Sequence, residues 1–304
     1  MSGKLYVVAT PIGNAGDISE RAVKALAEAD LIAAEDTRTV KKLLGILRLR
    51  NKSVSNHRFN EYGRTEFLVS ELLSGKDVAL VSDAGTPCVS DPGGALVRAA
   101  AQNGIETVAV CGPSAVTAAL SVSGFVFGSF AFYGYMPRGD AGIKKALEAA
   151  RRAAVSPDSV SVFFESPRRV KKTLSAITEA AGDSELCLCN DMTKLFERVY
   201  RGTPCNVLTE LNENDSAEKG EYTLVIKFGE RGREEGEVCV ISPEAVVADC
   251  MAKNGLTAKE AVAALSAKGA RYTKKELYSA SLNLKKLFND IQVNEKNKRA
   301  NDLV

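Results

Sequence analysis

The first 123 residues repeat one unit at least three times: a short, continuously apolar run, a loop rich in Gly and Pro, and a helix. Leu5–Ala9 leads into Thr10-Pro11-Ile12-Gly13-Asn14. Val78–Val81 leads into Ser82-Asp83-Ala84-Gly85-Thr86-Pro87, and Thr107–Cys111 into Gly112-Pro113-Ser114-Ala115. Leu31–Ala34 adds a strand that runs directly into Glu35-Asp36-Thr37-Arg38. Strands apolar on both faces belong inside a mostly parallel sheet covered by helices. The loops of such a sheet collect at the carboxyl ends of its strands, where ligands bind. Three of them carry Gly, Pro and a hydroxyl or carboxylate together, so their convergence predicts a small-molecule site. Asp17 with Glu20, and Asp91-Pro92, read as helix starts; Gly104 reads as a helix end.

A second α/β set follows. Phe130–Tyr133, Val160–Phe164, Leu186–Cys189 and Tyr222–Phe228 read as strands, and Ile143–Ala154 and Val170–Ala181 as helices. Gly229–Glu237 (GERGREEGE) has no periodicity and reads as a linker. Beyond it Ser242-Pro243 opens a helix that Gly255 closes, and Thr257 with Glu260 and Thr273 with Glu276 form capping boxes for two more. The expected organisation is an N-terminal α/β domain over 1–123, a second α/β domain over 124–230 that completes a cleft, and a small helical module over 238–304 with a frayed end at 294–304.

Charge sharpens this division. The whole chain carries a net +2, yet residues 252–304 hold 11 Lys/Arg against 5 Asp/Glu. A basic tail on a mildly acidic body predicts a polyanionic partner or a solvated helical face. The seven cysteines form no C-x-x-C pair and His57 is the single histidine, which argues against a structural zinc and for reduced thiols. Leu5–Ala9 is too short for a signal-peptide core, and no apolar run reaches the roughly 18 residues of a membrane span. The expected location is cytoplasmic.

Familiar nucleotide templates are missing: no G-x-G-x-x-G follows a strand and no P-loop exists. Ser114 is not in a nucleophile elbow, and a serine triad would have to recruit His57. Asp83 and Asp91 flank one loop as possible ligands, or as a turn residue and a helix cap. The residues alone reach an α/β enzyme with an inter-domain cleft holding a nucleoside-type ligand.

Seven segments carry more. Leu5–Asp17 (LYVVATPIGNAGD), Ala34–Arg38 (AEDTR), Ser82–Gly93 (SDAGTPCVSDPG), Gly112–Ala115 (GPSA), Gly134–Pro137 (GYMP), Phe164–Arg169 (FESPRR) and Thr193–Arg198 (TKLFER) occur in this order. Together they closely resemble the ribosomal RNA small subunit methyltransferase I family of the tetrapyrrole-methylase superfamily, over roughly residues 4–230. The resemblance implies a two-domain, non-Rossmann methyltransferase, usually a homodimer, that binds S-adenosylmethionine between its domains and methylates the 2′-hydroxyl of a cytidine in 16S rRNA. It places the cofactor at Pro11, Ile12 and Gly13, at Asp83, Ala84, Gly85, Thr86 and Pro87, and at Pro113, Ser114 and Ala115. Glu35, Asp36, Glu165 and Lys194 match polar motif positions expected in the cleft. The chain departs from the family pattern at Cys111 (usually Pro), Arg168 (usually His) and Asn190-Asp191-Met192 (usually Arg-Glu-Leu).

Methyl transfer to a ribose hydroxyl chiefly requires positioning, plus a base to take or share the hydroxyl proton. Glu35, Asp36, Glu165 and Lys194 are the candidates, and Lys194 is equally a phosphate clamp; no metal is expected. Eight basic residues between Arg38 and Arg64, Lys41 and Lys42 among them, and a cluster with Arg168 and Arg169, predict contacts to RNA phosphates. The competing readings are a small-molecule (tetrapyrrole) methyltransferase and a non-catalytic RNA-binding assembly factor.

Overall fold

The computed structural model describes residues 2–229, 242–267 and 272–286. Most of the expected linker and the chain end at 294–304 lie outside them. Met1–Arg231 forms one compact unit and Gly232–Val304 a second.

The first half of the larger unit alternates β1 (Leu5–Val8), α1 (Glu20–Glu28), β2 (Leu31–Ala34), α2 (Thr37–Ile46), β3 (Ser53–Ser55), α3 (Glu61–Leu73), β4 (Val78–Val81), α4 (Gly94–Gln102) and β5 (Thr107–Val110). The strands make a fully parallel sheet in the order β3-β2-β4-β1-β5. Every residue of β2 and β4 is buried, as strands covered on both faces must be. Leu26, Val40 and Leu44 pack on one face, and Leu68, Leu72 and Leu96 on the other.

Two helix starts differ from expectation. The cap of α1 is Ser19, whose hydroxyl accepts from Ala22 N, because Asp17 ends a separate 3₁₀ turn over Ala15–Asp17. Helix α4 starts at Gly94, not at Pro92, and borrows its cap: Glu61 Oε1 accepts from Gly93 N (2.9 Å) and Ala95 N (3.0 Å). Gly93 sits at φ +122, where a Cβ would fall 2.8 Å from Leu80 Cδ2. Asp91 is thereby free to face a cavity.

The second half contains α5 (Ala115–Val122), β6 (Ser129–Tyr135), α6 (Asp140–Ala153), β7 (Ser159–Glu165), α7 (Val170–Ala181), β8 (Glu185–Asn190), β9 (Arg198–Gly202), α8 (Pro204–Asn212) and β10 (Tyr222–Lys227). This sheet, ordered β6-β7-β10-β8-β9, is mixed: only β6 and β7 run parallel. Helices α6, α7 and α8 cover one face with Leu147, Leu174, Ile177 and Leu211. The other face receives α5 through Val116, Ala119 and Leu120, against Val160, Val162 and Val225. Although α5 lies before residue 124, its apolar contacts are with the second sheet, so it ties the two halves together.

In the second unit, Ser242 caps α9 (Pro243–Asn254), which ends on the left-handed Gly255. Both capping boxes form: Glu260 accepts from Thr257 N (2.8 Å), and Glu276 from Thr273 N (2.8 Å). They open α10 (Ala258–Ala267) and a third helix over 274–286. Val247, Ala261, Val262, Leu277 and Ala280 make its own small core.

Candidate functional site

Three loops at the carboxyl ends of β1, β4 and β5 are bonded into one assembly. Thr10 N donates to Gly85 O (2.9 Å) and Gly85 N returns a bond to Thr10 O (3.0 Å). Thr86 Oγ1 donates to Pro113 O (3.2 Å). Beside them Asp36 N donates to Asp83 Oδ1 (3.1 Å), which couples the end of β2 to the same assembly. The four strand ends thus present Ile12, Glu35, Asp83 and Ser114 side by side, as the crevice rule for parallel sheets requires.

Opposite these loops stands the second sheet, and the space between is a cavity of about 460 Å³. That is within the range of small-ligand sites. The first half contributes Ile12, Glu35, Asp83–Thr86, Val89–Asp91 and Ser114–Val116 to its lining; the second contributes Tyr135, Phe164–Pro167, Met192 and Glu221–Thr223. Close approach of the halves depends on Gly13. A Cβ there would lie 2.6 Å from Lys194 Cγ and 3.1 Å from Met192 O. Asn14 N donates to Thr193 Oγ1 (3.0 Å) at the same seam.

The electrostatics of the cavity are one-sided. Burial, then the nearby charges of Asp91 and Asp83, push the Glu35 carboxyl above its ordinary value. Burial, opposed by a hydrogen bond from Asp36 N and aided by the Asp36 charge, does the same to Asp83. Asp91 is raised by burial, and Asp83 adds to it. Burial also raises the Tyr135 phenol. Five carboxylates, Glu35, Asp83, Asp91, Glu165 and Glu221, line the cavity and no Lys or Arg does. Arg169 and Lys194 pair with Glu165 and Glu221, which leaves the other three without an ion pair among the described residues.

The expected site residues separate on this geometry. Ile12, Asp83, Ala84, Gly85, Thr86, Ser114 and Ala115 line the cavity, as do Glu35 and Glu165. Pro11 and Gly13 face a shallower depression that Asp83 and Ala84 also border; Pro87 and Pro113 shape loops without lining the cavity. Asp36 is turned away: it caps α2 and clasps Arg38 (2.6 Å), whose bonds pull its carboxyl down to about 2. Lys194 stands behind the lining, with Nζ 2.7 Å from Asp191 and 2.8 Å from Glu221. Burial works against its charge, but those two partners prevail and raise its pKa.

Glu165 has a completely buried side chain that accepts from Thr173 Oγ1 (2.5 Å), Ser166 N (2.6 Å) and Arg169 Nη2 (2.8 Å). The same Nη2 donates to Met136 O (2.6 Å), so Arg169, expected at RNA, is committed to holding the GYMP loop. Arg38, Lys41, Lys42 and Arg168 are exposed. Asp91, Tyr135 and Glu221 are lining residues that the sequence reading did not select. Asp91 reads from the sequence equally as a ligand or as a helix cap, and Tyr135 sits within GYMP with no neighbouring signal to mark it as a lining residue. Glu221 has no local signal: the register Tyr222↔Glu165 and Tyr222↔Asn190 brings it to the cavity.

Known proteins are similar to this chain in sequence and in fold. The sequence profile of the family described as Tetrapyrrole (Corrin/Porphyrin) Methylases matches residues 4–205. Ribosomal RNA small subunit methyltransferase I of Vibrio cholerae is 41% identical over 224 residues, 73% of this chain and 76% of that protein. The protein of the same name from Bacillus subtilis is 40% identical over 225 residues, covering 74% and 75%. The one from Thermotoga maritima is 42% identical over 224 residues, covering 74% of this chain and 98% of the relative. Among solved structures, diphthine synthase superposes with a TM-score of 0.56 at 19% identity, over 74% of this chain and 90% of that one. Uroporphyrin-III-C-methyltransferase from Thermus thermophilus gives 0.50 at 19% identity, over 73% and 94%.

Proposed function

This chain belongs to the ribosomal RNA small subunit methyltransferase I family within the tetrapyrrole methylases, and on that premise we propose that it transfers a methyl group from S-adenosylmethionine to the ribose 2′-hydroxyl of a cytidine in 16S rRNA. The reading extends to a homodimer acting on the small ribosomal subunit in the cytoplasm. Among the described residues, no helix is long and apolar enough to cross a membrane.

The observation that carries the proposal is the cavity's charge deficit. Glu35, Asp83 and Asp91 line it with no ion pair among the described residues and no Lys or Arg in the lining, a setting that a cationic ligand complements. S-adenosylmethionine brings a sulfonium and an ammonium, and it supplies an electrophilic methyl group. Its adenine needs apolar contact, which Ile12, Val116, Phe164 and Met192 offer from both walls. Ala84–Thr86 and Ser114–Val116 also line the cavity, and the hydroxyls of Thr86 and Ser114 add polar groups there.

Among the four candidate bases, Glu35 suits the role best. It lines the cavity, and a raised pKa brings a carboxylate closer to the operating pH, where general bases work best. Asp36, drawn down to about 2 by Arg38, is too weak a base and faces elsewhere. Lys194 stays protonated between Asp191 and Glu221, so it acts as a cation that fixes the Glu221 wall. Glu165 holds the Arg169 fork and with it the loop bearing Tyr135.

Nucleoside mass spectrometry of rRNA from cells with and without the gene tests the proposal. Loss of one 2′-O-methylcytidine, restored by the wild-type gene and not by Glu35→Gln, is the expected result. Unchanged rRNA overturns it. A tetrapyrrole substrate is less well supported, because the uncompensated basic residues between α2 and α3 have no use for one.

A further inference from the structure

Between β3 and α3 the chain makes a compact turn. His57 N donates to Asn60 Oδ1 (2.8 Å), and Asn60 Nδ2 donates to Ser55 Oγ (3.0 Å). The turn throws two rings outward: Phe59 is 96% exposed and Tyr62 86%. Aromatic side chains contribute most when buried, so two of them standing in water a few residues apart mark a contact surface. Arg58 precedes the first ring and Arg64 follows the second. The stretch leading up to the turn adds the exposed Lys41, Lys42, Arg48, Arg50 and Lys52. Among the described residues none of these seven cations is in an ion pair.

The turn also lies near the acidic wall of the cavity. The Arg58 charge favours the ionised forms of both Glu35 and Asp91, and Glu61, at the start of α3, holds Gly93 and Ala95 just beyond Asp91. Directly before the turn, Asn56 is 1% exposed with neither side-chain Oδ1 nor Nδ2 bonded, and His57 Nδ1 is equally unpartnered. Orphaned polar groups are uncommon in buried positions and mark segments completed by something else.

We propose that Arg58, Phe59, Tyr62 and Arg64 form a stacking platform for the single-stranded RNA that delivers the target nucleotide to the cavity. Bases beside the target stack on the two rings while the guanidinium groups hold the phosphates between them. The proposal rests on the RNA-methylation reading above and adds the surface that reads the strand. A phosphodiester strand brings π-faces and anions at once, whereas a protein pocket for Phe59 would have to desolvate two arginines that have no ion pair among the described residues. Stacking tolerates any base, so the platform contributes affinity and register, and the cavity contributes the choice of nucleotide.

The chain contains no tryptophan and eight tyrosines, so Phe59→Trp in the full-length protein creates a single tryptophan on the platform, excited selectively at the red edge where tyrosine does not absorb. Titration with a short mixed-sequence single-stranded oligoribonucleotide should quench it as the RNA binds. Phe59→Ala/Tyr62→Ala should weaken binding of the same RNA by about 10-fold if one base stacks and about 100-fold if two do. The KM for small ribosomal subunits should rise in parallel, while affinity for the methyl donor stays. RNA that binds without quenching, together with a double variant of wild-type affinity, overturns the platform. So does a double variant whose sedimentation changes, since the patch is then a contact between copies. Quenching and affinity loss in these variants, alongside a wild-type protein that methylates no ribosomal subunit, would support the platform while removing the catalytic reading.

Discussion

Glu165→Ala should lower the melting temperature sharply, because the carboxylate it removes is the buried centre of a network. Its side chain is wholly enclosed and accepts from Arg169 Nη2, Thr173 Oγ1 and Ser166 N. Breaking a buried ion pair by deleting one partner costs about 3–5 kcal/mol. Arg169 retains 30% side-chain exposure, so water compensates part of its loss and brings that figure to roughly 2–3 kcal/mol. Thr173, itself 1% exposed, is left with an unaccepted hydroxyl, which adds about 1 kcal/mol. A total near 3–4 kcal/mol corresponds to a drop of roughly 6–16 °C for a unit of this size. Thermal unfolding of the full chain followed by far-ultraviolet circular dichroism measures it. Thr173→Val alone should cost about 1 kcal/mol, and the double variant should lose less than the sum, since the orphaned hydroxyl has gone. A Glu165→Ala melting temperature within about 2 °C of wild type, or strict additivity, would refute this account of the network.

Four further outcomes follow from the cavity and the second unit. Since Glu35 is held above the ordinary carboxylate range, kcat/KM should fall as pH drops through that raised pKa; Glu35→Gln should cost about 10²–10⁴-fold and abolish the acid limb, and a variant with the wild-type profile would acquit it. Asp91 also has a raised folded pKa, so the folded state binds more protons than the unfolded one and stability declines as pH rises through it; Asp91→Asn should melt higher than wild type at neutral pH, lose that gain in acid, and bind the donor less well. Gly13→Ala, whose Cβ would meet Lys194 Cγ at 2.6 Å, should cost about 1–3 kcal/mol in stability or donor affinity by forcing the seam apart, checked by calorimetry. Deleting 238–304 should leave donor binding intact and flatten the salt dependence of RNA affinity by about one unit per lost phosphate contact; an unchanged slope with poorer stability would assign those helices to packing. The Thermotoga maritima relative matches over 98% of its own length, which leaves it no room for a second unit beyond the match.

Continuous apolar runs made the parallel strands readable: Leu31–Ala34 and Val78–Val81 are bounded as the sequence predicts. What escaped is α2, β3 and α3. Strand β3 is only Ser53-Val54-Ser55 at the sheet edge, with no hydrophobic run to announce it. The apolar stripe of α2 is interrupted by Arg38, Lys41 and Lys42, so the segment read as charge rather than structure. Strand β9 (RVYRG) is likewise an edge strand, polar on its outer face. In the cavity, residues carried on Gly/Pro loops were visible because those loops are punctuated locally. Glu221 was not, because antiparallel pairing across many intervening residues puts it there. Arg169 showed the opposite failure: its charge was legible, but the buried Glu165 that engages it was not.

The position of β10 sets a timetable for synthesis. The first sheet has all its strands once residue 110 has been made, whereas the second sheet has its middle strand, β10, only at residues 222–227. At about 5–20 residues per second, roughly 6–25 s separate the two events on the ribosome. From their own synthesis, at residues 159–165 and 185–190, until β10 arrives, β7 and β8 lack the partner that joins them, and each presents an open apolar edge, the kind that recruits other chains. Nascent chains that end between β8 and β10 therefore hold a finished set of loops opposite an unfinished wall, and premature stops in that range should yield aggregates rather than truncated enzymes.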